Sequence, residues 1–373
     1  MAREGRGVTR REALELGKLR ICRWCVGRLH TSDPGSVERT GLRVAALLGI
    51  PLDDAGCALC GGMFSRIDEM AGEAARAIAG LEARSFYVSV SVPRGAVELE
   101  DELRSRLRLR GGMSAKRLAI RMLSRSIEGR LGVPARPADP DVILRFSPRG
   151  FEGAAPMPAY VLGRYLKPAG VRSRGRRCPR CGGAGCAACN YTGVSGEPPS
   201  LERRLIESLM AAFEAEGARI AWIGTDPAEV EVSGRGRPFV AKVLGARLRT
   251  GWQRRLPDGS WLASLRLLQG AREVEGAAAE ARVDVVEIEA AGGRAEAARL
   301  EAAAGTAAGR GRILRAEARS EGGALAAAVC AEHGADLISI APAGARVRVV
   351  DVVGDCSGYP LAPPRPRRAR EKL

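Results

Sequence analysis

Eight of the ten cysteines stand in four Cys-x-x-Cys pairs, and this spacing restricts the fold more than any other feature of the 373-residue chain. The pairs are Cys22/Cys25, Cys57/Cys60, Cys178/Cys181 and Cys186/Cys189. Each pair has the spacing of a zinc knuckle, and a tetrahedral zinc ion takes four soft ligands from two such knuckles. The spacing therefore predicts two structural zinc sites, one from the first two pairs and one from the last two.

Disulfide bonds are the alternative use of paired cysteines. Residues 1–20 contain no apolar segment of the kind found in secretory signals, so we expect a cytoplasmic protein whose thiols stay reduced. A chain of this length also needs no disulfides for stability. We therefore favour metal ligation, in which iron could replace zinc at four thiolates. The two other cysteines, Cys330 and Cys356, are expected to be unpaired.

The composition indicates soluble domains that bind nucleic acid. The hydrophobic fraction is 46%, with no apolar run of bilayer length, so no membrane association is expected. Lys and Arg outnumber Asp and Glu by 59 to 43, a formal charge of +16. Guanidinium groups bind phosphate well, although a GC-rich genome also enriches arginine. Local clusters are more informative, and the predicted RNA-binding residues are Lys116, Arg117, Arg121, Arg125 and Arg164.

The order of helical and strand patterns predicts an α+β fold. Residues 113–132 form a basic amphipathic pattern with Ser114 as N-cap. Alternating patterns predict strands at 85–92, 139–148 and 160–167. In the second half, alternating runs predict an antiparallel sheet covered by Ala-rich helices at 294–304 and 322–333.

These patterns divide the chain into four parts. We predict an accessory domain at 1–172, a Cys-rich ribbon at 173–198, a second α+β domain at 199–362 and a disordered basic tail at 363–373. The ribbon is Gly-rich and has short linkers between its cysteines, so it is expected to mark the junction between the two domains.

Several kinds of catalytic site are poorly supported. The chain has only two histidines, His30 and His333, and isolated histidines usually have structural or surface roles. It lacks a GxxxxGK[ST] loop and a dinucleotide fingerprint, so neither a nucleotide nor a redox cofactor is expected. Four matched cysteine pairs also do not fit a redox enzyme, which needs one reactive pair.

The remaining candidate for chemistry is the stretch WIGTDPAEVEVSGRGRPF. It places Asp226 near Arg235 and Arg237 in the sequence, and a guanidinium beside a carboxylate keeps it ionised. The alternative for this stretch is a hairpin with solvated charges.

Five segments resemble the archaeal tRNA pseudouridine synthases that modify uridines 54 and 55 of the T-loop. They are ICRWCVGRL, CALCGGMF, VLGRYLK, CPRCGGAGCAACNYTG and GRGRPF, in the family's order over residues 21–239. The resemblance implies a zinc-binding accessory domain with a THUMP-like RNA-binding part, followed by a pseudouridine synthase domain. It also implies a tRNA substrate bound at the T-loop and elbow, and isomerisation of a flipped uridine.

The resemblance also suggests the nucleophile. Gly224 and Gly234 keep the spacing of the family's catalytic segment, and we assign the nucleophilic aspartate to Asp226. An ungapped match puts Pro227 at the family's aspartate, one residue later, but a proline restricts the preceding residue to extended conformations and can re-aim it.

Four pocket residues follow from the same resemblance. Arg235 and Arg237 are expected to order the pocket and the RNA phosphates, while Trp261 and Leu325 take the positions at which the family has two active-site tyrosines. A rival interpretation is a zinc-containing tRNA-binding protein that has lost turnover. A zinc-ribbon transcription or ribosome factor explains the cysteines but not GRGRPF.

Overall fold

The structure is a computed structural model that describes residues 9–109, 111–196, 198–224, 226–257, 261–268 and 271–366. The chain divides into two compact units, Met1–Met157 and Pro158–Leu373. Both helices and sheets are present, so the predicted α+β class is confirmed. Within the described ranges, every helix is too short or too polar to cross a bilayer.

The first unit is a helical region followed by a small sheet. Its helices are α1 (Arg10–Gly17), α2 (Arg23–His30), α3 (Val37–Leu48), α4 (Ile67–Ile78), α5 (Arg94–Arg106) and α6 (Ala115–Leu131). Its strands are β1 (Phe86–Val90), β2 (Val142–Ser147) and β3 (Gly150–Pro156). They lie in the order β1-β2-β3, with β1 parallel to β2 and β2 antiparallel to β3.

Helix α6 forms where the sequence predicts it. The hydroxyl of Ser114 accepts a hydrogen bond from the backbone N–H of Arg117, as an N-cap does. Its apolar side, which includes Leu118, Leu123 and Ile127, is fully buried in the core of the unit. Since the opposite side of the helix carries the basic residues, α6 is fixed by burial of one face and presents the other to solvent.

The second unit is built on a large sheet. Its helices are α7 (Leu201–Phe213), α8 (Ala271–Ala279), α9 (Arg294–Ala302) and α10 (Leu337–Ile340). Its strands are β4 (Ala159–Lys167), β5 (Arg176–Arg177), β6 (Val194–Ser195), β7 (Gly217–Trp222), β8 (Glu231–Leu244), β9 (Leu262–Leu267), β10 (Val283–Ala291), β11 (Ala307–Ala308), β12 (Gly311–Glu321), β13 (Ala324–Glu332) and β14 (Arg346–Val353). The small strands β5 and β6 pair with each other.

The large sheet is mixed, which corrects the expectation of an antiparallel one. Its strand order is β11-β12-β13-β10-β14-β8-β4-β9, and β7 also pairs with β8. Strands β14 and β8 are parallel, in register at Arg348/Glu231 and Val349/Val232. Strand β14 is antiparallel to β10 on one side and parallel to β8 on the other, so the sheet contains both kinds of pairing.

Strand β4 belongs to this large sheet. The sequence division placed residues 160–167 in the accessory domain, whereas in the structure β4 forms backbone ladders with β8 and β9. The predicted tail at 363–373 is described only up to Pro366, and residues 367–373 lie outside the described residues.

The predicted helix at 322–333 is wrong, because this segment forms strand β13. Its residues Ala324–Ala331 are buried between β10 and β12, and burial between two strands outweighs the helix propensity of alanine. Gly322 and Gly323 have φ values of 56° and 79° and connect β12 to β13. Two adjacent positive φ angles match a tight hairpin turn, which a Gly-Gly pair favours.

Cys330 and Cys356 form a disulfide, contrary to the expectation that they are unpaired. Their Cα atoms are 6.4 Å apart and 26 positions separate them in sequence. Cys330 lies on β13, and the chain after β14 passes over this strand, burying both sulfurs in a small apolar cluster. The sequence could not show this proximity, because it depends on β13 being a strand.

Candidate active site and metal sites

The first four cysteines converge in the core of the first unit. All four are buried, and their sulfur atoms lie within 4.8 Å of one another. Cys22 is the N-cap of α2, and its Sγ accepts a hydrogen bond from the backbone N–H of Cys25. Cys57 and Cys60 come from the loop after α3. One knuckle at a helix start and one in a loop therefore form the four-sulfur cluster that the sequence predicts.

A buried arginine supports this cluster from outside. Nε of Arg28 lies 3.4 Å from Sγ of Cys25, and its NH1 lies 2.7 Å from a carboxylate oxygen of Glu100 on α5. The Arg28 side chain is fully buried. Groups that hydrogen bond to ligands fix their orientation and tune a metal site, so α5 is linked to the cluster through Arg28.

The second cluster lies on the two-stranded ribbon of β5 and β6. Its four sulfurs, from Cys178, Cys181, Cys186 and Cys189, lie within 4.8 Å of one another. The backbone N–H of Cys178 donates to the carbonyl of Gly193, which closes the ribbon across the cluster.

Both clusters have the geometry of a tetrahedral thiolate site. A zinc–sulfur bond of about 2.3 Å in a tetrahedron separates the sulfurs by roughly 3.8 Å. The distance is 3.7 Å for Cys22 and Cys60, and 3.8 Å for Cys186 and Cys189. These two four-cysteine clusters could each bind a metal ion such as zinc.

The Asp226 carboxylate is buried and held by an arginine and a tyrosine. Asp226 follows β7, and 3% of its side chain is exposed. Arg237 on β8 approaches it with two nitrogens, NH2 at 2.7 Å from Oδ1 and Nε at 3.0 Å from Oδ2. The hydroxyl of Tyr165 on β4 donates to Oδ2 at 2.9 Å. A bidentate guanidinium and a phenol therefore fix the position of this carboxylate.

Arg237 also binds a second buried carboxylate. Its NH2 lies 2.8 Å from Oδ2 of Asp284 on β10. Nδ1 of His333, just beyond β13, lies 2.8 Å from Oδ1 of Asp284. This oxygen is buried and faces no other donor among the described residues, and Nδ1 of His333 also lies 3.4 Å from NH1 of Arg237. The ring's Nε2 lies 2.8 Å from the carbonyl oxygen of Ala281.

These groups form a chain of charges across one face of the sheet. In order they are Tyr165, Asp226, Arg237, Asp284 and His333. Nδ1 of His333 faces Asp284 and its Nε2 faces the carbonyl oxygen of Ala281, so the imidazole ends the chain between two acceptor oxygens. The two buried carboxylates share the guanidinium of Arg237, and buried charges are tolerated when they are paired.

The surroundings shift the pKa values within this chain. Burial raises the pKa of the Tyr165 phenol well above its usual value, and the charge of Asp226 adds to the rise. Burial alone would lower the pKa of Arg237, but the charges of Asp226 and Asp284 outweigh it and raise that pKa. Burial opposes ionisation of Asp284, yet His333 and Arg237 hold its pKa below the usual value. Tyr165 is therefore a donor, and Asp284 an anion, at neutral pH.

Gly224 leaves room for this arrangement. Its φ is +70°, and a Cβ atom there would lie 2.4 Å from NH1 of Arg237 and 3.1 Å from Nδ1 of His333. A larger residue would displace the guanidinium that holds Asp226, so the glycine two positions before the carboxylate is required by close approach.

Lys167 anchors the segment after Asp226. Its Nζ donates to the carbonyl oxygens of Pro227 at 3.1 Å and Ala228 at 3.2 Å, to that of Val230, and to that of Val171 at 3.1 Å. The side chain is buried, and burial lowers the pKa of Lys167, an effect that the charge of Asp226 opposes. Residues 227–230 are thus tied to the end of β4, two residues beyond Tyr165.

Three of the predicted pocket residues make no hydrogen bond or ion pair with the Asp226 carboxylate. Among the described residues, Arg235 pairs with Asp351 at 3.4 Å and its side chain is 79% exposed. Trp261 stacks on the guanidinium of Arg204 at 4.6 Å and precedes Leu262, the register partner of Tyr165. Leu325 is buried at the end of β13 opposite to His333. Of the four predicted pocket residues, only Arg237 binds Asp226.

The predicted RNA-binding residues fall into two groups. Lys116, Arg117, Arg121 and Arg125 are exposed on α6. Arg164, on β4, instead binds the carbonyl of Gly236 at 2.8 Å and the carboxylate of Asp351 at 3.2 Å. The helix face is open to a ligand, whereas Arg164 connects neighbouring strands.

Sequence reasoning missed four members of the site, namely Tyr165, Lys167, Asp284 and His333. The segment VLGRYLK contains the first two. They stand at alternate positions of a predicted strand, so the pattern could have placed both on one face of the sheet. Asp284 interrupts the apolar run VDVVEI of β10, and an aspartate inside such a strand needs a cationic partner. No local signal marks His333, which the sequence placed in the wrong element.

Comparison with curated proteins identifies relatives. The chain is 30% identical over 227 residues to tRNA pseudouridine synthase Pus10 of Cenarchaeum symbiosum, covering 60% of this chain and 56% of that protein. It is 35% identical over 221 residues to that of Methanopyrus kandleri, covering 57% and 50%. For Methanothermobacter marburgensis the identity is 28% over 253 residues, covering 66% and 62%. No protein-family model matches the chain.

The three alignments cover 57–66% of this chain and 50–62% of the relatives' own lengths. All three are named as tRNA pseudouridine synthases, which are isomerases. Over its aligned residues the chain is therefore a homologue of the archaeal Pus10 tRNA pseudouridine synthases.

Proposed function

We propose that this chain is a tRNA pseudouridine synthase that isomerises uridine 54, uridine 55 or both in the T-loop. The observation that carries the proposal is the buried Asp226 carboxylate, held by both Arg237 and Tyr165. The named activity of the homologues supports it. So does the formal charge of +16, which suits a polyanionic substrate.

In the proposed reaction Asp226 acts as the nucleophile on a uridine flipped out of the RNA. The bond between N1 of the base and C1′ of the ribose breaks, the base turns, and a bond forms between C5 and C1′. The proton on C5 is lost and N1 gains one, so the product is an isomer and no cofactor is consumed. Flipping the base costs a few kcal/mol, which contacts to the RNA backbone offset.

The residues around Asp226 have distinct parts in this proposal. Arg237 orients the carboxylate through two hydrogen bonds from its guanidinium. Tyr165 remains protonated and donates to Oδ2, leaving other lone pairs of the carboxylate for the substrate. Lys167 holds residues 227–230 and with them the backbone on one side of the nucleophile. Side chains that are already in position before the substrate binds stabilise the transition state most effectively.

The other parts of the chain have supporting roles in the proposal. Both cysteine clusters hold zinc and stabilise their surroundings, and no step of the reaction passes through them. The first unit, Met1–Met157, forms a THUMP-like accessory domain in which α6 presents Lys116, Arg117, Arg121 and Arg125 to tRNA. The second unit forms the catalytic domain, which includes β4 and the ribbon at 173–198.

The test is formation of pseudouridine in an unmodified tRNA transcript. Purified protein is incubated with the transcript, and positions 54 and 55 are mapped by chemical derivatisation and primer extension. We expect product with the wild type and none with Asp226→Asn, which keeps the size of the side chain but not its charge. Asp355→Asn is the matched control, because this aspartate of the same unit is exposed and its carboxylate accepts from Ser357 rather than from Arg237.

The outcomes separate the alternatives. No product from a protein that binds the tRNA would support the non-catalytic tRNA-binding interpretation and reject the enzyme. Full activity of Asp226→Asn would reject this residue as the nucleophile while leaving the activity in place.

A further inference from the structure

A cleft lies in the second unit between the Cys-rich ribbon and the edge of β7. Its volume is about 770 Å³, within the usual range for sites that enclose a small ligand. Residues 181–184 and 192–194 of the ribbon line it on one side, and Ala218–Ile220 of β7 line it on the other. Among the described strands β7 pairs only with β8, so its second edge has no partner strand.

The charges around the cleft are mostly positive. Arg174 and Arg177 line it from the ribbon and Arg219 lines it from β7, and all three are exposed. Their guanidinium groups have no ion-pair or hydrogen-bond partner in the described part of the chain. The carboxylate of Glu202, which also lines the cleft, accepts a hydrogen bond from the backbone N–H of Gly175 at 2.9 Å. Three unpaired cations around one cavity favour an anionic ligand.

An aromatic ring connects the cleft to the nucleophile. Trp222, at the end of β7, lines the cleft and is half-buried. Its ring meets that of Tyr165 edge to face, with the centroids 5.6 Å apart, and the hydroxyl of Tyr165 donates to Asp226. The cleft and the carboxylate are thus on opposite sides of two packed rings.

We infer that this cleft binds the single-stranded RNA segment next to the target uridine. Phosphates of that segment contact Arg174, Arg177 and Arg219, and an unpaired base lies against Trp222. Basic grooves with aromatic rings are the usual means of holding single-stranded nucleic acid, because guanidinium binds phosphate and every base can stack. The inference rests on the proposed function, since it takes the target of Asp226 to be RNA.

An acidic peptide is the other polymer that could occupy the cleft, by adding a strand to the free edge of β7. RNA is favoured because the arginines come from both sides of the cleft, the ribbon and β7, rather than along one strand, and because Trp222 offers a ring for a base. The two ligands make different predictions in a competition experiment.

The experiment measures RNA binding apart from turnover. Binding of a fluorescent unmodified tRNA transcript to the full chain is followed by anisotropy at several salt concentrations. Each contact with a phosphate of single-stranded RNA contributes about 0.7 to the slope of log affinity against log salt. The triple variant Arg174→Ala, Arg177→Ala, Arg219→Ala should therefore lower the slope by roughly 2, which is up to about 100-fold in affinity at 0.1 M salt.

A matched triple variant corrects for the loss of net charge. Arg282, Arg310 and Arg319 are exposed arginines of the same unit that do not line the cleft. Their replacement by alanine removes the same charge and should lower the slope by less than half as much. Equal slopes and affinities for the two triple variants, both with wild-type metal content and circular dichroism, would overturn the inference.

Crosslinking tests the position of the RNA segment. A transcript with 4-thiouridine beside the target uridine is irradiated with the protein, and the crosslinked peptide is identified by mass spectrometry. We expect a peptide from residues 174–184 or 217–222. A crosslink confined to other segments would overturn the placement. In a competition experiment, displacement of the RNA by polyglutamate but not by oligouridylate would overturn it as well.

Failure of this inference is distinguishable from failure of the proposed function. If the wild type forms pseudouridine and the cleft variant binds tRNA normally, only the cleft is rejected. If no pseudouridine forms while the cleft variant loses binding, the catalytic proposal is rejected and the cleft remains an RNA site.

Discussion

Replacement of His333 is the sharpest test of the charge chain, because this side chain lies at its far end and does not contact Asp226. His333→Leu removes the only group that faces Oδ1 of Asp284 among the described residues. Asp284 is buried, with 6% of its side chain exposed. The substitution therefore leaves a buried carboxylate that depends on Arg237 alone.

The magnitude follows from the contact that is lost. A hydrogen bond to a charged group contributes about 1.5–3 kcal/mol. Because 22% of the His333 side chain is exposed, we expect the lower end, about 1.5–2 kcal/mol. For a unit of this size that loss lowers the unfolding temperature by roughly 3–8 °C.

The same substitution should also slow the reaction. Without His333, Asp284 competes more strongly for the guanidinium of Arg237, and the bidentate hold on Asp226 weakens. A change of 1.4 kcal/mol in the barrier is tenfold in rate, so we expect kcat to fall about tenfold with little change in KM. His333→Lys, which places a cation near Asp284, should recover part of kcat, whereas His333→Gln should recover less.

Single-turnover formation of pseudouridine and thermal unfolding are the two assays. The control is His30→Leu, which removes a histidine of the first unit whose Nδ1 faces the carbonyl of Val26, and we expect it to leave kcat unchanged. Wild-type kcat in His333→Leu, together with a lower unfolding temperature, would refute the link to catalysis. An unchanged unfolding temperature would refute the ion pair itself.

Three further predictions follow from the same structure. Lys167→Met removes a charged donor from three carbonyl groups of residues 227–230, of which those of Pro227 and Ala228 keep a backbone donor, so it should cost about 1.5–3 kcal/mol. It should also lower kcat more than Lys242→Met, an exposed lysine on β8, in a comparison of kcat and urea midpoints. His333 and Arg237 hold the pKa of Asp284 below its ordinary value of 3.8. The ionised carboxylate therefore stabilises the fold above pH 3.8, and this contribution is lost as the pH falls below that value. In urea unfolding, Asp284→Asn should lose less stability between about pH 5 and pH 3 than the wild type does. Bound zinc, measured by atomic emission, should be two per chain and should fall to one in Cys60→Ser and in Cys189→Ser; an unchanged zinc content in either variant would contradict that cluster as a zinc site.

The sequence was most informative where local patterns and burial agree. Helix α6 and strand β1 could be predicted because their apolar residues repeat at the helical and strand periods. The cysteine clusters could be predicted because each knuckle is a local unit of four residues. The segment of β13 could not, because an alanine-rich run has no strand period, and its strand state depends on the neighbours β10 and β12.

The active-site candidate shows the same division. Asp226 and Arg237 are eleven residues apart, and a motif in one segment contains both. Tyr165, Asp284 and His333 come from three other strands or strand ends, and only the sheet order brings them beside Arg237. A motif search weights residues near each other in sequence, so it chose Arg235, which points to Asp351, and missed Tyr165, which holds the nucleophile.

By itself, the sequence determined the four Cys-x-x-Cys knuckles, the α+β class and the resemblance to archaeal tRNA pseudouridine synthases, because each depends on short local motifs and patterns. The tertiary structure decided the partners of Asp226, since a buried carboxylate is stabilised only by charges and donors that the fold brings to it. It also decided that the two knuckles of each cluster face one another, with their sulfur atoms at tetrahedral spacing. The cysteines thus identify the relatives of the chain, and the sheet assembles the site.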